Sequence, residues 1–239
     1  MQVKSPVICV PIMDANKISI LTEARCLVEQ GVPMIEWRMD AFDHILEIGA
    51  VLEVLKELRE ATPNTLLLAT YRSLVQGGLL QLEEDYAQKL QIEIAKSNLA
   101  DYIDVEYIPS DTLQEHIREL KQYEAKVIIS YHDFEKTPSD IEMGELFANM
   151  AKTDADIMKL AVMPKNQADV QRLLDITQKT RVEYPKKQLI TMSMGELGKV
   201  SRIIGFRYGS SVTFAAGAQA SAPGQIPFAE LKKRIEEEQ

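Results

Sequence analysis

Two kinds of apolar pattern alternate along the chain. Short runs that are β-branched or apolar give way to longer amphipathic runs that repeat apolar residues every three or four positions. The first pattern suits strands and the second suits amphipathic helices. Predicted strands cover Val7–Met13, Met34–Phe42, Thr65–Arg72, Tyr102–Ile108, Lys126–Asp133, Asp156–Met163, Gln188–Met194 and Ser211–Ala216. Predicted helices cover Lys17–Glu29, His44–Glu60, Glu83–Lys96, Asp111–Gln122, Ser139–Ala151, Ala168–Lys179, Glu196–Ile204 and Pro227–Glu237. Ser139 with Glu142 three residues on forms a capping-box pattern, behind a Pro138 that stops the preceding loop. Strand–helix alternation with short connections implies parallel strands and helical crossovers. Eight such units in 239 residues fit one (β/α)8 barrel domain spanning residues 1–239. The alternative is an open doubly wound sheet, whose GxGxxG fingerprint is missing after the first strand.

Composition narrows the function classes. A net charge of -9 and a pI of about 5.0 repel a polyanion, so nucleic acid is not an expected partner. No apolar run approaches the roughly 18 residues of a spanning helix, so a membrane is not expected either. The run Val7–Met13 is short, contains Pro11 and lacks a small-residue cleavage site, which fits a strand better than a signal peptide. Cys9 and Cys26 have neither a CxxC partner nor a nearby histidine, so they read as two buried thiols in a reducing, cytoplasmic setting.

Charged residues gather toward the C-terminal ends of the predicted strands, where barrels of this kind carry their chemistry. Glu36, Arg38 and Asp40 alternate along one strand and are expected on one face. Another strand ends at Arg72, a third carries Asp104 and Glu106, and a fourth carries Ser130 and His132. Any one of these fits a solvated rim or a structural ion pair, but charged groups are rarely buried unpaired and five strands carry them at one end. Lys159 interrupts the apolar run Ile157–Val162. Such a lysine either snorkels to the rim or enters a dry pocket, where a neighbouring cation would turn it into a neutral nucleophile. His132 ends the adjacent predicted strand, so imidazole and amine could meet on one ligand. That pairing suits proton removal next to an iminium. His44 and His116 fall on or beside helices and read as surface residues.

At these residues the sequence resembles type I 3-dehydroquinate dehydratase (3-dehydroquinase), a family of the shikimate pathway of aromatic amino acid biosynthesis. The resemblance runs through Glu36-Trp37-Arg38-Met39-Asp40, Tyr71-Arg72-Ser73 with Gly77-Gly78, Asp104-Val105-Glu106 and Ser130-Tyr131-His132-Asp133-Phe134. It continues through Thr137-Pro138, Lys159-Leu160-Ala161, Met192-Ser193-Met194-Gly195, Ser201-Arg202 and Ser221-Ala222-Pro223-Gly224-Gln225. The order and spacing of these strings carry the specificity. The resemblance implies a homodimer without metal or organic cofactor that dehydrates 3-dehydroquinate to 3-dehydroshikimate. It implies that Lys159 forms a Schiff base and that His132 shuttles the proton. Arg202, Ser221 and Gln225 would hold the substrate carboxylate; Glu36, Arg38 and Arg72 would hold the ring hydroxyls; Met192 and Phe214 would form an apolar wall. Two positions depart from the family pattern. Gln76 stands where many members carry a glutamate beside the histidine, and Pro11 stands where many carry serine. Two other readings share parts of this layout. A lysine-imine aldolase would need a phosphate cradle after Met194 or Ala216, and no glycine-rich one is present. A non-catalytic binder of polyhydroxy acids would need neither Lys159 nor His132.

Overall fold

A computed structural model describes residues 5–110 and 112–239. Eight parallel strands and eight α-helices alternate among these residues: β1 (Val7–Ile12), α1 (Lys17–Glu29), β2 (Met34–Arg38), α2 (Ile48–Ala61), β3 (Leu66–Thr70), α3 (Glu84–Ser97), β4 (Tyr102–Glu106) and α4 (Leu113–Gln122) form the first half. The second half consists of β5 (Lys126–Asp133), α5 (Asp140–Ala151), β6 (Ile157–Val162), α6 (Gln167–Glu183), β7 (Gln188–Ser193), α7 (Gly195–Tyr208), β8 (Val212–Phe214) and α8 (Phe228–Glu237). The strands pair in the order β7-β6-β5-β4-β3-β2-β1-β8. The β7–β8 seam is thin. A single bridge joins Leu189 to Ser210, and the backbone N–H of Ser211 donates to Leu189 at 2.7 Å. Ser210 Oγ accepts from the N–H of Thr191 at 3.1 Å. With that seam the sheet closes into the expected (β/α)8 barrel.

The pleat divides the apolar residues into two cores. Outward-facing side chains such as Ile35, Trp37, Ile103 and Leu160 pack under the helices. Inward-facing Cys9, Met34, Leu68, Ile128, Ile157 and Ile190 fill the barrel interior. Parallel pairing then sets the polar residues in rows above that filling: Arg38 opposite Thr70, Thr70 opposite Asp104, Glu106 opposite Ser130, Ser130 opposite Lys159, and His132 opposite Ala161. A one-residue slip would turn any of these side chains into the helical layer. The capping box is formed, with the N–H of Ser139 donating to Glu142 at 2.7 Å and the N–H of Glu142 donating to Ser139 Oγ at 3.2 Å. No helix among the described residues is long and apolar enough to cross a membrane.

Several expectations need correction. The second strand stops at Arg38, because Met39–Ala41 turn into a 3-10 helix, so Asp40 does not continue the inward row. Its α2 begins at Ile48 rather than His44, and α7 runs on to Tyr208. The last strand is three residues long. The expected fourth helix starts at Leu113; Asp111, its expected first residue, lies outside the described residues. Cys26 is exposed on α1, whereas Cys9 is buried in the barrel. His116 is buried, not superficial. Gln91 Nε2 donates to the carbonyl of Asp104 at 3.0 Å, which turns the Gln91 amide oxygen toward His116 Nε2 at 2.6 Å. His116 Nε2 therefore carries a proton.

Candidate active site

Glu36, Arg38, Arg72, His132, Lys159 and Arg202 all line one cavity at the C-terminal ends of the strands. Gln76, Met192, Phe214, Ser221 and Gln225 line it as well. Every site residue expected from the sequence is thus brought to one place. Phe134, Ala161 and Met194 also contribute to its walls.

The wall made by β2 to β5 is laced with ion pairs. Arg38 donates through Nε and Nη2 to the two oxygens of Asp40, both at 2.8 Å. Asp40 therefore sits behind Arg38 and fixes its guanidinium instead of facing the cavity. Arg72 Nη2 donates to Asp104 Oδ1 at 2.8 Å, and Nη1 donates to Glu106 Oε1 at 3.0 Å and Ser130 Oγ at 2.9 Å. Ser130 Oγ in turn donates to Asp104 Oδ1 at 2.6 Å. Glu36 Oε1 accepts from Thr70 Oγ1 at 2.9 Å.

Lys159 is buried with 4% of its side chain exposed. It enters the barrel rather than snorkelling to the rim. Two carboxylates lie near its amine, Glu36 Oε1 at 3.7 Å and Asp104 Oδ2 at 3.6 Å. The Phe214 ring lies beneath the amine, 4.5 Å from Nζ to the ring centre. A cation over an aromatic face is held by the ring quadrupole.

His132 stands one inward position farther along than Ser130, the residue paired with Lys159. Gln76 Oε1 accepts its backbone N–H at 2.9 Å and lies 3.2 Å from Nδ1. A backbone N–H requires an acceptor, so the amide atom at that point is oxygen. An amide oxygen only accepts, so Nδ1 carries the hydrogen and Nε2 is left with its lone pair. Burial, followed by the charges of Arg72, Lys159 and Arg38, pushes the imidazolium pKa well below the usual histidine value. A neutral imidazole with a free Nε2 is equipped to take a proton.

The loop carrying Gln76 is fitted without room for methyl groups. A Cβ on Gly77 would lie 2.3 Å from the Phe134 ring, and one on Gly78 would lie 1.9 Å from the carbonyl oxygen of Arg72. Gly77 also has φ of 84°, in the left-handed region. The Phe134 ring stacks beside His132 with ring centres 6.5 Å apart.

The opposite wall, from α7, β8 and the following loop, carries a single cation. Arg202 is 1% exposed. Its guanidinium meets only neutral acceptors: Met192 Sδ at 3.4 Å, the Phe214 carbonyl at 3.3 Å and the Pro223 carbonyl at 3.4 Å. Its Nε has no hydrogen-bond partner among the described residues. Burial pulls its pKa down to about 10, which still leaves it charged at neutral pH. Ser221 and Gln225 brace each other beside it through Ser221 N–H to Gln225 Oε1, 2.7 Å, and Gln225 Nε2 to Ser221 Oγ, 2.9 Å. Among the described residues, no three His, Cys, Asp or Glu side chains converge as a metal site.

The model of the type I 3-dehydroquinase family matches residues 8–238. The chain belongs to the type I 3-dehydroquinases. A 3-dehydroquinate dehydratase of Clostridioides difficile (strain 630) is 43% identical over 227 residues, covering 95% of this chain and 89% of that protein. One from Klebsiella pneumoniae (strain 342) is 40% identical over 228 residues, covering 95% and 90%. Among solved structures, the type I 3-dehydroquinate dehydratase of Clostridium difficile with covalently modified comenic acid superposes with a TM-score of 0.92. It shows 42% identity over 97% of this chain and 91% of that one. The 3-dehydroquinate dehydratase of Geobacillus kaustophilus HTA426 gives 0.94 at 33% identity, over 98% and 91%.

Within this member of the type I 3-dehydroquinases, Pro11 pairs with Glu36 in the register and is buried, so its ring fills space on the inward row without offering a hydrogen bond. Asp104 is the residue whose importance the sequence understates. Its alternation with Glu106 was visible, but its approach to Lys159 crosses from β4 to β6 and depends on the closed barrel. It does not line the cavity.

Proposed function

We propose that this chain is a 3-dehydroquinate dehydratase that works through an imine at Lys159, with His132 as general base and then general acid. The observation that carries the reading is Arg202: a buried guanidinium without a carboxylate, sharing a cavity with a buried primary amine. An uncompensated buried cation is costly. A ligand carboxylate would complete it, and the planar fork can bond both oxygens.

With the carboxylate on Arg202, Ser221 and Gln225, the ring reaches toward Lys159, and its hydroxyls face Glu36, Arg38 and Arg72. Met192 and Phe214 cover its apolar faces. The amine condenses with the ring ketone and releases water, giving an iminium. That iminium draws electrons from the neighbouring carbon, and His132 Nε2 removes a proton there to give an enamine. The imidazolium then protonates the β-hydroxyl as it departs, and hydrolysis of the conjugated iminium frees the amine. The lone pair on His132 Nε2 and the cations that disfavour imidazolium suit the first proton transfer. In this reading the enzyme is one catalytic domain over 1–239, a cytoplasmic homodimer that uses no metal or organic cofactor.

Borohydride reduction with 3-dehydroquinate, followed by intact mass and peptide mapping, tests the chemistry. A reduced adduct on Lys159 is expected, absent in Lys159→Ala. Turnover in that variant should fall by about 10⁴- to 10⁶-fold, as when a covalent nucleophile is removed. Full turnover by Lys159→Ala, or an adduct on another residue, would overturn the proposal.

A further inference from the structure

The sequence of steps above leaves one proton without an owner. An ammonium at position 159 must lose a proton before it can attack a carbonyl, and the steps above assign that proton to no group. Asp104 has the geometry for the task. It is completely buried. Its Oδ1 is saturated by Arg72 and Ser130, at 2.8 and 2.6 Å. Among the described residues its Oδ2 has no hydrogen-bond partner, and it points to Lys159 Nζ, 3.6 Å away. A buried carboxylate oxygen left without a donor is a costly arrangement that calls for a role.

We propose that Asp104 is the proton acceptor for the Lys159 amine. The inference rests on the Schiff-base reading. Oδ2 takes one proton from the ammonium, and the neutral amine adds to the ketone. One N–H proton passes to the new alkoxide, giving a carbinolamine. The proton held by Asp104 then leaves with the carbinolamine hydroxyl as water, and the C–N bond becomes C=N⁺–H. One ammonium and one ketone yield one iminium and one water, and Asp104 is a carboxylate at both ends. As a carboxylate it then faces the positive iminium, and it resumes the acceptor role in reverse during hydrolysis.

Glu36 is the competing acceptor, at 3.7 Å. Its oxygen nearest the amine already accepts from Thr70, and its side chain lines the cavity, where substrate hydroxyls claim it. The other groups facing this spot are Arg72 just after β3, His132 on β5 and Cys9 on β1. Burial raises the Cys9 thiol well above its ordinary range, so it stays neutral. None of them is a free anionic acceptor.

The test is rapid-quench borohydride trapping with 3-dehydroquinate across a pH series, in wild type, Asp104→Asn and Glu36→Gln. Asparagine keeps the shape and the carbonyl that Arg72 and Ser130 bond. For Asp104→Asn we expect trapping to slow by about 10²-fold or more, the usual scale of an acid–base group. Its rate should then rise about tenfold per pH unit, as hydroxide replaces the missing acceptor. The isotope effect from substrate deuterated at the carbon that loses its proton should collapse toward one, because imine formation becomes limiting. Glu36→Gln should keep the wild-type pH dependence of trapping. If Asp104→Asn does not fold, time-resolved infrared spectra of wild type labelled with ¹³C-aspartate should show a transient protonated carboxyl during imine formation; its absence overturns the proposal. Wild-type trapping rates and pH dependence in Asp104→Asn would overturn it, as would equal slowing of imine formation and elimination. If wild type itself yields no trapped adduct, the Schiff-base reading fails instead.

Discussion

The two walls of the cavity handle buried charge in opposite ways. On the β2-to-β5 side, Arg38 is chelated by Asp40, and Arg72 is shared among Asp104, Glu106 and Ser130. On the α7 side, Arg202 meets sulfur and two carbonyls and no carboxylate. Arg72 and Arg202 are buried to nearly the same degree, 3% against 1% exposed, so burial alone does not distinguish them. The difference lies in what is left for a ligand. A guanidinium already paired with its carboxylate has only its remaining N–H groups to offer a neutral hydroxyl, whereas one that lacks an anion is free to receive one.

The contrast can be broken by experiment. Removing Arg72 strands two buried carboxylates, so Arg72→Met should lose about 3–5 kcal/mol of stability, read from urea unfolding. Removing Arg202 strands nothing charged. Arg202→Met should therefore leave the unliganded protein as stable as wild type or more so, while kcat/KM for 3-dehydroquinate falls about 30- to 1000-fold, equivalent to about 2–4 kcal/mol of lost charge-assisted binding. A drop in unfolding midpoint as large as that of Arg72→Met would erase the distinction between the walls.

A smaller effect sharpens the description of the imidazole between them. His132 is held well below the usual histidine range by burial and by Arg72, Lys159 and Arg38. As the proposed base, His132 must be neutral to act, so the acid limb of the kcat/KM profile should lie below pH about 6.5. Gln76→Glu adds a negative charge at Nδ1, which favours imidazolium and raises the pKa. The acid limb should then move up by about 1 to 2 pH units, and an unmoved limb would count against the assignment of His132 as base. The unfolded chain binds this proton at higher pH than the fold does. His132 therefore makes stability decline as pH drops below about 6.5.

Much of this was legible in the sequence because strand alternation is short-range. Arg38, Arg72, His132 and Lys159 each sit on or at the end of a short apolar run that reads as a strand, and the pleat with parallel pairing turns them inward together. Gly77 and Gly78 beside Gln76 were visible as a string, though not what they approach. What stayed hidden depends on contacts between distant segments. Asp40 looks like the next inward residue until the chain turns at Met39 and folds it back onto Arg38. His116 looks like a surface residue of a polar helix until α3 supplies Gln91. Lys159 looked like an amine to be activated by a cation, yet the barrel's closure brings it two carboxylates.

The crowding at Gly77 and Gly78 has a consequence of its own. The ring of Phe134 rests where one methyl group would be, and the carbonyl of Arg72 where another would be. The tautomer of an imidazole more than fifty residues downstream is thereby guarded by atoms that are missing. Alanine at either site would introduce no charge and remove no catalytic group. It would still unseat the amide that tells His132 which nitrogen to leave bare.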